Sequence, residues 1–274
     1  MTGNDIDLEL TNILKEYEQN LAKEVEFRLR NWKFDHKKAA SYQVISGLLS
    51  RQTSIVIDLL SAPQIFNRLV VSIILRSMID IYITMAWILH SDSEIRAQKF
   101  IDYGLGQEKI MLDCRKAGLE AQGILPETDE LVQTCQNLIN MMKYEQLVDV
   151  NIGSWSGLNV RQMAQEAGCL DFYNLTYIPF SQDVHSNWSH LIRFNLEPCK
   201  NPLHKFHFHG VLKDNFPCFF DNLRNVVKYM NKVLDLFDAN SGLDVSSVTP
   251  SADILIDKVL AIIEKIQKNK KPRK

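Results

Sequence analysis

The feature that most constrains this sequence is the apolar run from Leu69 to Leu89, LVVSIILRSMIDIYITMAWIL. The run is nearly long enough to span a bilayer. Arg76 and Asp80 lie near its middle, however, where each charged side chain costs roughly 2.5–3.5 kcal/mol of insertion free energy. The central helix of a bundle explains the same pattern, because neighbouring helices cover it on nearly every side. We therefore predict a buried helix and no stable membrane insertion.

Apolar residues recur at helical spacing along most of the remaining chain, which predicts an all-α, multi-helix bundle. Phe206 and Phe208 alternate with histidines, so we predict one short strand or hairpin near residues 203–212. Short polar residues at 91–94 are expected to cap a helix. The predicted helices span residues 5–32, 37–61, 64–89, 94–116, 128–144, 160–167, 172–190 (as one or two helices split near Pro179), 216–237 and 254–266.

The segment ANSGLDVSSVTPSA, residues 239–252, has the composition of a flexible connector. It divides the chain into a helical bundle domain at 1–238 and a C-terminal amphipathic helix at 253–267, which we expect to pack loosely. The basic tail at 268–274 could contact phosphate, although such termini are more often simply solvated.

Composition excludes several function classes. The 33 acidic and 31 basic residues nearly balance, so global charge gives no argument for nucleic-acid or membrane binding. The five cysteines contain no C-x-x-C pair of the kind found in zinc or redox sites. The N-terminal sequence MTGNDIDLEL is acidic and polar, unlike a signal peptide. These features favour a cytoplasmic protein with reduced thiols.

Arg76 and Asp80 are four residues apart in the most apolar predicted helix, so they share one helix face. Because a buried charge needs a partner, further polar groups should meet them. Two interpretations remain open. The pair either fixes helix register as an internal ion pair, or lies in a polar pocket where Arg76 anchors a phosphate or carboxylate.

A second group of polar side chains recurs at steps of four residues from Tyr173 to His185. If this segment is helical, the side chains form a row at intervals of about 6 Å, the rise of four residues. His185 is then a candidate general acid or base within reach of Ser181. The alternative is a Ser–His pair that only satisfies core hydrogen bonds. The row contains Tyr173, Tyr177, Ser181 and His185, and its possible orienting partners are Asp183, Asn187 and His190.

Histidines are concentrated in the same part of the chain. His207 and His209 would face one side of the predicted strand, and with His204 they could supply nitrogen ligands to zinc. An exposed polar strand face is the simpler explanation, because no known ligand spacing is matched. We assign no metal and no other cofactor from the sequence.

Four motifs together resemble a known family. They are L-R-S-M-I-D at residues 75–80, E-I-R-A-Q-K-F-I-D-Y at 94–103, Trp155 before R-Q-M-A at 161–164, and the row ending at His185. Their order along the chain resembles a bacterial family of helical proteins catalogued as domain of unknown function 5677. That family is distantly similar to HEPN-type helical bundles, which occur in toxins and phage-defence systems.

The resemblance implies that Arg76, Asp80, Tyr103, Tyr177, Ser181 and His185 line one site. It implies a toxin-like effector of a bacterial phage-defence system, acting on RNA as a metal-independent ribonuclease. The HEPN signature places an arginine a few residues before a histidine, and no arginine precedes His185 at that spacing. Arg76 would therefore come from another helix. The expected catalytic residues are His185, Ser181 and Arg76, and the expected substrate-binding residues are Asp80, Tyr103, Tyr173, Tyr177 and His190.

A different class of function fits the same sequence. The chain could be a non-catalytic helical module that binds a ligand, forms a homo-oligomer, or joins a protein of the same defence system. A dimer surface could come from the first long helix or from Phe219 and Phe220, since long amphipathic helices often pair. A helix that enters a membrane only on activation is a third possibility.

Overall fold

The chain forms a bundle of α-helices with one small β-hairpin, as the sequence predicts. A computed structural model describes residues 3–62, 65–205, 207–212 and 220–270. Single 3₁₀ turns lie at His36–Lys38, Pro126–Thr128 and Glu145–Leu147. The α-helices are α1 (Gly3–Asn31), α2 (Ala39–Ser61), α3 (Arg68–His90), α4 (Ser93–Glu120), α5 (Glu130–Met142), α6 (Val160–Glu166), α7 (Leu170–Phe172), α8 (Ile178–Val184), α9 (Trp188–Phe194), α10 (Phe220–Ser241) and α11 (Ser251–Lys270).

The apolar run becomes α3, which contacts α2, α4, α6, α8 and α10. Its side chains fill the main core, and Leu75, Met78, Ile79 and Ile83 are fully buried. Within the described ranges, the segment Leu69–His90 of α3 is the one helix long and apolar enough to cross a membrane. Half of its apolar window is nevertheless buried inside the protein. Contact with five neighbouring helices accounts for the near absence of a polar face.

The N- and C-terminal helices pack on each other. Tyr17 and Leu21 of α1 are buried in the core shared with α2 and α11. Helix α11 begins at Ser251, inside the predicted connector, and Ser251 and Ala252 are buried. The backbone N–H and the hydroxyl of Ser251 both donate to Glu24 of α1, at 3.1 and 2.7 Å. The start of α11 is therefore packed on α1, not loosely attached as expected.

Helices α4 and α5 pack on each other around a small core of their own. Helix α5 contacts α4 and the short turns on either side of it. At Gly106 an added Cβ would lie 2.7 Å from the carbonyl oxygen of Asp149, so glycine allows the following loop to approach α4 closely. The six buried residues of this core are Leu105, Leu112, Leu119, Val132, Ile139 and Val148.

The cap predicted at residues 91–94 takes a different form. Asp92 adopts the left-handed conformation, with φ of 47°, and its side chain makes no cap hydrogen bond to α4. Glu94 instead accepts the backbone N–H groups of Ala40 and Ser41, both at 2.9 Å. The carboxylate thus satisfies free donors at the start of α2, where negative charge also favours the helix dipole.

The hairpin lies close to its predicted position. Strand β1 (Leu196–Pro198) pairs antiparallel with β2 (Phe208–Gly210), and Glu197 lies opposite His209. Two other predictions lie outside the described residues: the alternation at Phe206, and the dimer contact at Phe219. The side chain of Phe220 is also not described.

Candidate functional site

Helix α3 carries Arg76 and Asp80 on one face, where they form the predicted ion pair. The Arg76 side chain is 12% exposed and that of Asp80 is 43% exposed, so the pair lies where the core meets solvent. The pair is therefore not sealed inside the bundle.

The row of polar side chains lies on a helical segment with an irregular middle. Residues Tyr173–Tyr177 form a π-helical turn between α7 and α8, closed by the N–H of Ile178 donating to the carbonyl of Tyr173. Pro179 lacks an N–H, and its ring would crowd the carbonyl four residues earlier in a regular α-helix. A π turn just before the proline removes that conflict, and such turns are frequent at functional sites. The rings of Tyr173 and Tyr177 stack here, with centroids 4.5 Å apart.

The central helix and this row meet directly. Arg76 Nε donates a hydrogen bond to the Ser181 hydroxyl oxygen at 3.2 Å. The guanidinium carbon of Arg76 lies 3.2 Å from the centroid of the Tyr177 ring, as a cation–π contact. We call Arg76, Asp80, Tyr177 and Ser181 the α3–α8 site. The structure brings these four predicted residues together, with Tyr173 stacked on the outer side of Tyr177.

Burial changes the acidity of this site. Desolvation raises the pKa of Asp80 above its ordinary value, and the opposing attraction of Arg76 does not cancel the effect. Desolvation also raises the pKa of Tyr177, so its phenol remains protonated and can donate hydrogen bonds. The Asp80 carboxyl group is therefore easier to neutralise than an exposed aspartate.

His185 lies at the exposed C-terminal end of α8, one turn beyond Ser181. Its backbone N–H donates to the carbonyl of Ser181 at 3.1 Å. The part of the chain that the structure describes provides no hydrogen-bond partner for its imidazole. The imidazole therefore faces solvent at the end of the row, without a group that orients it.

The three residues considered as orienting partners of His185 have other roles. Asp183 and His190 are buried and bonded to each other, with Oδ1 and Nδ1 2.8 Å apart. The amide of Asn187 donates to Gln182. The His190 imidazole is enclosed and joins α9 to α8, and its expected role in substrate binding stays a prediction. The turn at Ser186, with φ of 47°, ends α8 and allows α9 to fold back.

Tyr103 lies on α4 and lines a separate cleft of about 380 Å³ with Lys99, Asp102, Asp149 and other residues. Within the described residues, none of the hydrogen bonds or ring contacts of the α3–α8 site involves Tyr103. The place of Tyr103 in that site, which the resemblance implies, stays a prediction.

Several other motif residues form a structural cluster that sequence reasoning missed. Trp87 donates its indole N–H to Glu166 at 2.7 Å, and the Arg96 guanidinium lies 3.9 Å from the Trp87 ring centroid. Trp155 packs edge-on against Trp87 and Phe100. These contacts fix α6 and the preceding loop on α3 and α4. The sequence carries only a general signal, since a buried tryptophan usually finds a partner for its N–H, and Glu166 becomes that partner only in the fold.

The histidine group near the hairpin also differs from the sequence interpretation. Cys199 joins His204 and His207, with their donor atoms within 4.8 Å of one another. His209, which its spacing suggested as a ligand, is absent from this group. Cysteine was missed because Cys199 becomes a neighbour only through strand pairing.

The protein is therefore an all-α bundle that carries a half-exposed polar site between α3 and α8. A family model matches residues 43–201, more than half of the chain, and is described as a family of unknown function, DUF5677. The chain belongs to that family. No curated protein and no solved structure gives a significant match.

Proposed function

We propose that this chain is a toxin-like effector of a bacterial phage-defence system, distantly related to HEPN proteins, that binds and cleaves RNA at the α3–α8 site. The observation that carries the proposal is the hydrogen bond between Arg76 and Ser181. It joins the Arg76–Asp80 pair of the central helix to the row that ends at His185. We place the protein in the cytoplasm without stable membrane insertion, because the buried face of α3 is occupied by helices of its own chain.

The site offers the groups that single-stranded RNA needs. Stacked tyrosine rings can extend a stack of unpaired bases, and arginine binds phosphate through charge-assisted hydrogen bonds. A phosphate would exchange with Asp80 as the partner of Arg76. The raised pKa of the Asp80 carboxyl group lowers the cost of that exchange, since the carboxyl is more readily neutralised.

His185 supplies the chemistry in this proposal. Its imidazole removes the proton of a ribose 2′-hydroxyl, and the oxygen attacks the adjacent phosphorus. The bond from phosphorus to the 5′-oxygen breaks, and that oxygen takes a proton from water. Arg76 stabilises the negative charge on the phosphoryl oxygens, and the products are a 2′,3′-cyclic phosphate and a 5′-hydroxyl.

The test is cleavage of a labelled single-stranded RNA by the full chain in the presence of a chelator. His185→Ala should lower the rate at least about 100-fold, the usual contribution of a general acid or base. Because His185 is exposed, thermal unfolding should not change. His36, another exposed histidine, provides the control variant His36→Ala, which should retain the wild-type rate. Wild-type protein without activity, or a fully active His185→Ala, would refute catalysis.

A separate observation favours the non-catalytic interaction module as the second candidate. On α5, Leu131, Leu138 and Met142 are all exposed and follow one another at helical spacing. This exposed stripe fits a homo-oligomer, since the same patch on a second copy would be complementary to it. Analytical ultracentrifugation should show a dimer that Leu138→Glu disrupts, whereas Leu260→Glu, at an exposed position on α11, leaves it intact. A monomeric wild-type chain would refute self-association.

A further inference from the structure

The hairpin between α9 and α10 brings a cysteine and two histidines onto one face. The backbone N–H of Cys199 donates to the carbonyl of His207 at 2.8 Å, which continues the ladder of β1 and β2 by one residue. Residues directly opposite in an antiparallel pair point to the same side. Cys199 and His207 are therefore cross-strand neighbours.

The loop between the strands places the third side chain. The Asn201 side chain accepts the N–H of Leu203 at 3.0 Å, and the N–H of His204 donates to the carbonyl of Asn201 at 3.0 Å. The N–H of His207 then donates to the carbonyl of His204 at 3.1 Å. These turns direct the His204 ring toward the strands, where its Nδ1 lies 3.6 Å from Cys199 Sγ.

This spacing suits a metal ion. Zinc binds thiolate at about 2.3 Å and imidazole at about 2.0 Å, so tetrahedral geometry separates the two donor atoms by about 3.5 Å. The donor atoms of Cys199, His204 and His207 all lie within 4.8 Å of one another. One thiolate with two imidazoles is a donor set typical of zinc.

Packing does not explain why these three side chains meet. His204 and His207 are exposed, and each strand is only three residues long. So small a hairpin is marginal in water unless something else holds it.

We infer that Cys199, His204 and His207 bind one zinc ion, which fastens the hairpin between α9 and α10. Water fills the fourth position of the tetrahedron. The thiol of Cys199 loses its proton on binding, and both imidazoles bind in the neutral form. The site is independent of the RNA chemistry proposed above.

The test is a cobalt(II) titration of the reduced, chelator-treated full chain, read by absorption spectroscopy. Wild-type protein should bind one cobalt ion with a thiolate-to-cobalt charge-transfer band and tetrahedral ligand-field bands, and zinc should displace it. Cys199→Ser should abolish the charge-transfer band and weaken binding at least about tenfold.

His204→Ala should weaken binding to a similar degree. Cys114→Ser, which changes an exposed cysteine on α4, is the matched control and should bind cobalt as the wild type does. A wild-type titration without a charge-transfer band would overturn the inference. So would a band that persists in Cys199→Ser, because the thiolate would then belong to another cysteine.

Discussion

Replacing Arg76 with alanine tests whether the α3–α8 site is assembled as described. The variant loses a charge-assisted hydrogen bond to Ser181, a class of contact that contributes about 1.5–3 kcal/mol. It also loses the contact with the Tyr177 ring, of about 0.5–1 kcal/mol at a partly exposed position. The ion pair with Asp80 adds less than about 1 kcal/mol, because Asp80 is half-exposed.

Since neighbouring contacts are not additive, we expect Arg76→Ala to lower the free energy of unfolding by about 2–4 kcal/mol. For a chain of this size, that loss lowers the melting temperature by roughly 5–15 °C. Urea denaturation of the full chain, followed by circular dichroism, measures the free-energy change directly. Arg51→Ala, at an exposed position on α2, is the control and should change stability by less than about 0.5 kcal/mol.

A double-mutant cycle separates the contribution of the Arg76–Ser181 hydrogen bond from that of the other contacts in the site. Ser181→Ala combined with Arg76→Ala should show a coupling energy of about 1 kcal/mol, the mark of a direct contact. Arg76→Ala with wild-type stability, or a cycle with strictly additive effects, would refute the geometry of the site.

Two further changes test other parts of the structure. Gly106→Ala should lower the free energy of unfolding by about 1–3 kcal/mol, because the new Cβ meets the Asp149 carbonyl oxygen. In Gly104→Ala, on the same helix, the new Cβ meets open space, so this variant should be more stable than the wild type by up to about 1 kcal/mol. Urea denaturation distinguishes the pair, and equal effects would contradict the close approach. Burial raises the pKa of the Asp80 carboxyl group, so the folded protein keeps this proton to higher pH than the unfolded chain does. The free energy of unfolding of the wild type should therefore fall, relative to that of Asp80→Asn, as the pH rises above 3.8 toward neutrality. Unfolding curves of both proteins across that range measure the difference, and a constant difference would contradict the shift.

The fold was predictable because helical periodicity is local. The apolar run at 69–89 and the amphipathic segments on either side specified helices that the structure places within a few residues. The packing of α11 on α1 was missed, because serine and proline near residue 250 indicate a loop while the hydrogen bonds from Ser251 to Glu24 are made across the fold.

The site was predictable in part for the same reason. Spacing alone placed Arg76 next to Asp80, and Tyr173 next to Tyr177. Spacing could not reveal that Asp183 would take His190 as its partner, since a turn at Ser186 reverses the chain between them.

The proposed zinc ligands show the same limit: spacing along the chain does not reveal side chains that meet only in the fold. Counting histidines identified His204 and His207, but strand register decides which third side chain joins them. Register depends on pairing between segments, which one sequence read in isolation does not specify.

We propose that α3 and α8 form one face that binds RNA, and equilibrium binding of a single-stranded RNA tests this most directly. Fluorescence anisotropy at several salt concentrations should show that Arg76→Gln weakens binding at least about tenfold and reduces the salt dependence by about one phosphate contact. Arg51→Gln should bind as the wild type does, with circular dichroism confirming that each variant is folded at the assay temperature. RNA binding that is equally strong in the wild type and in folded Arg76→Gln, with the same salt dependence, would contradict the claim.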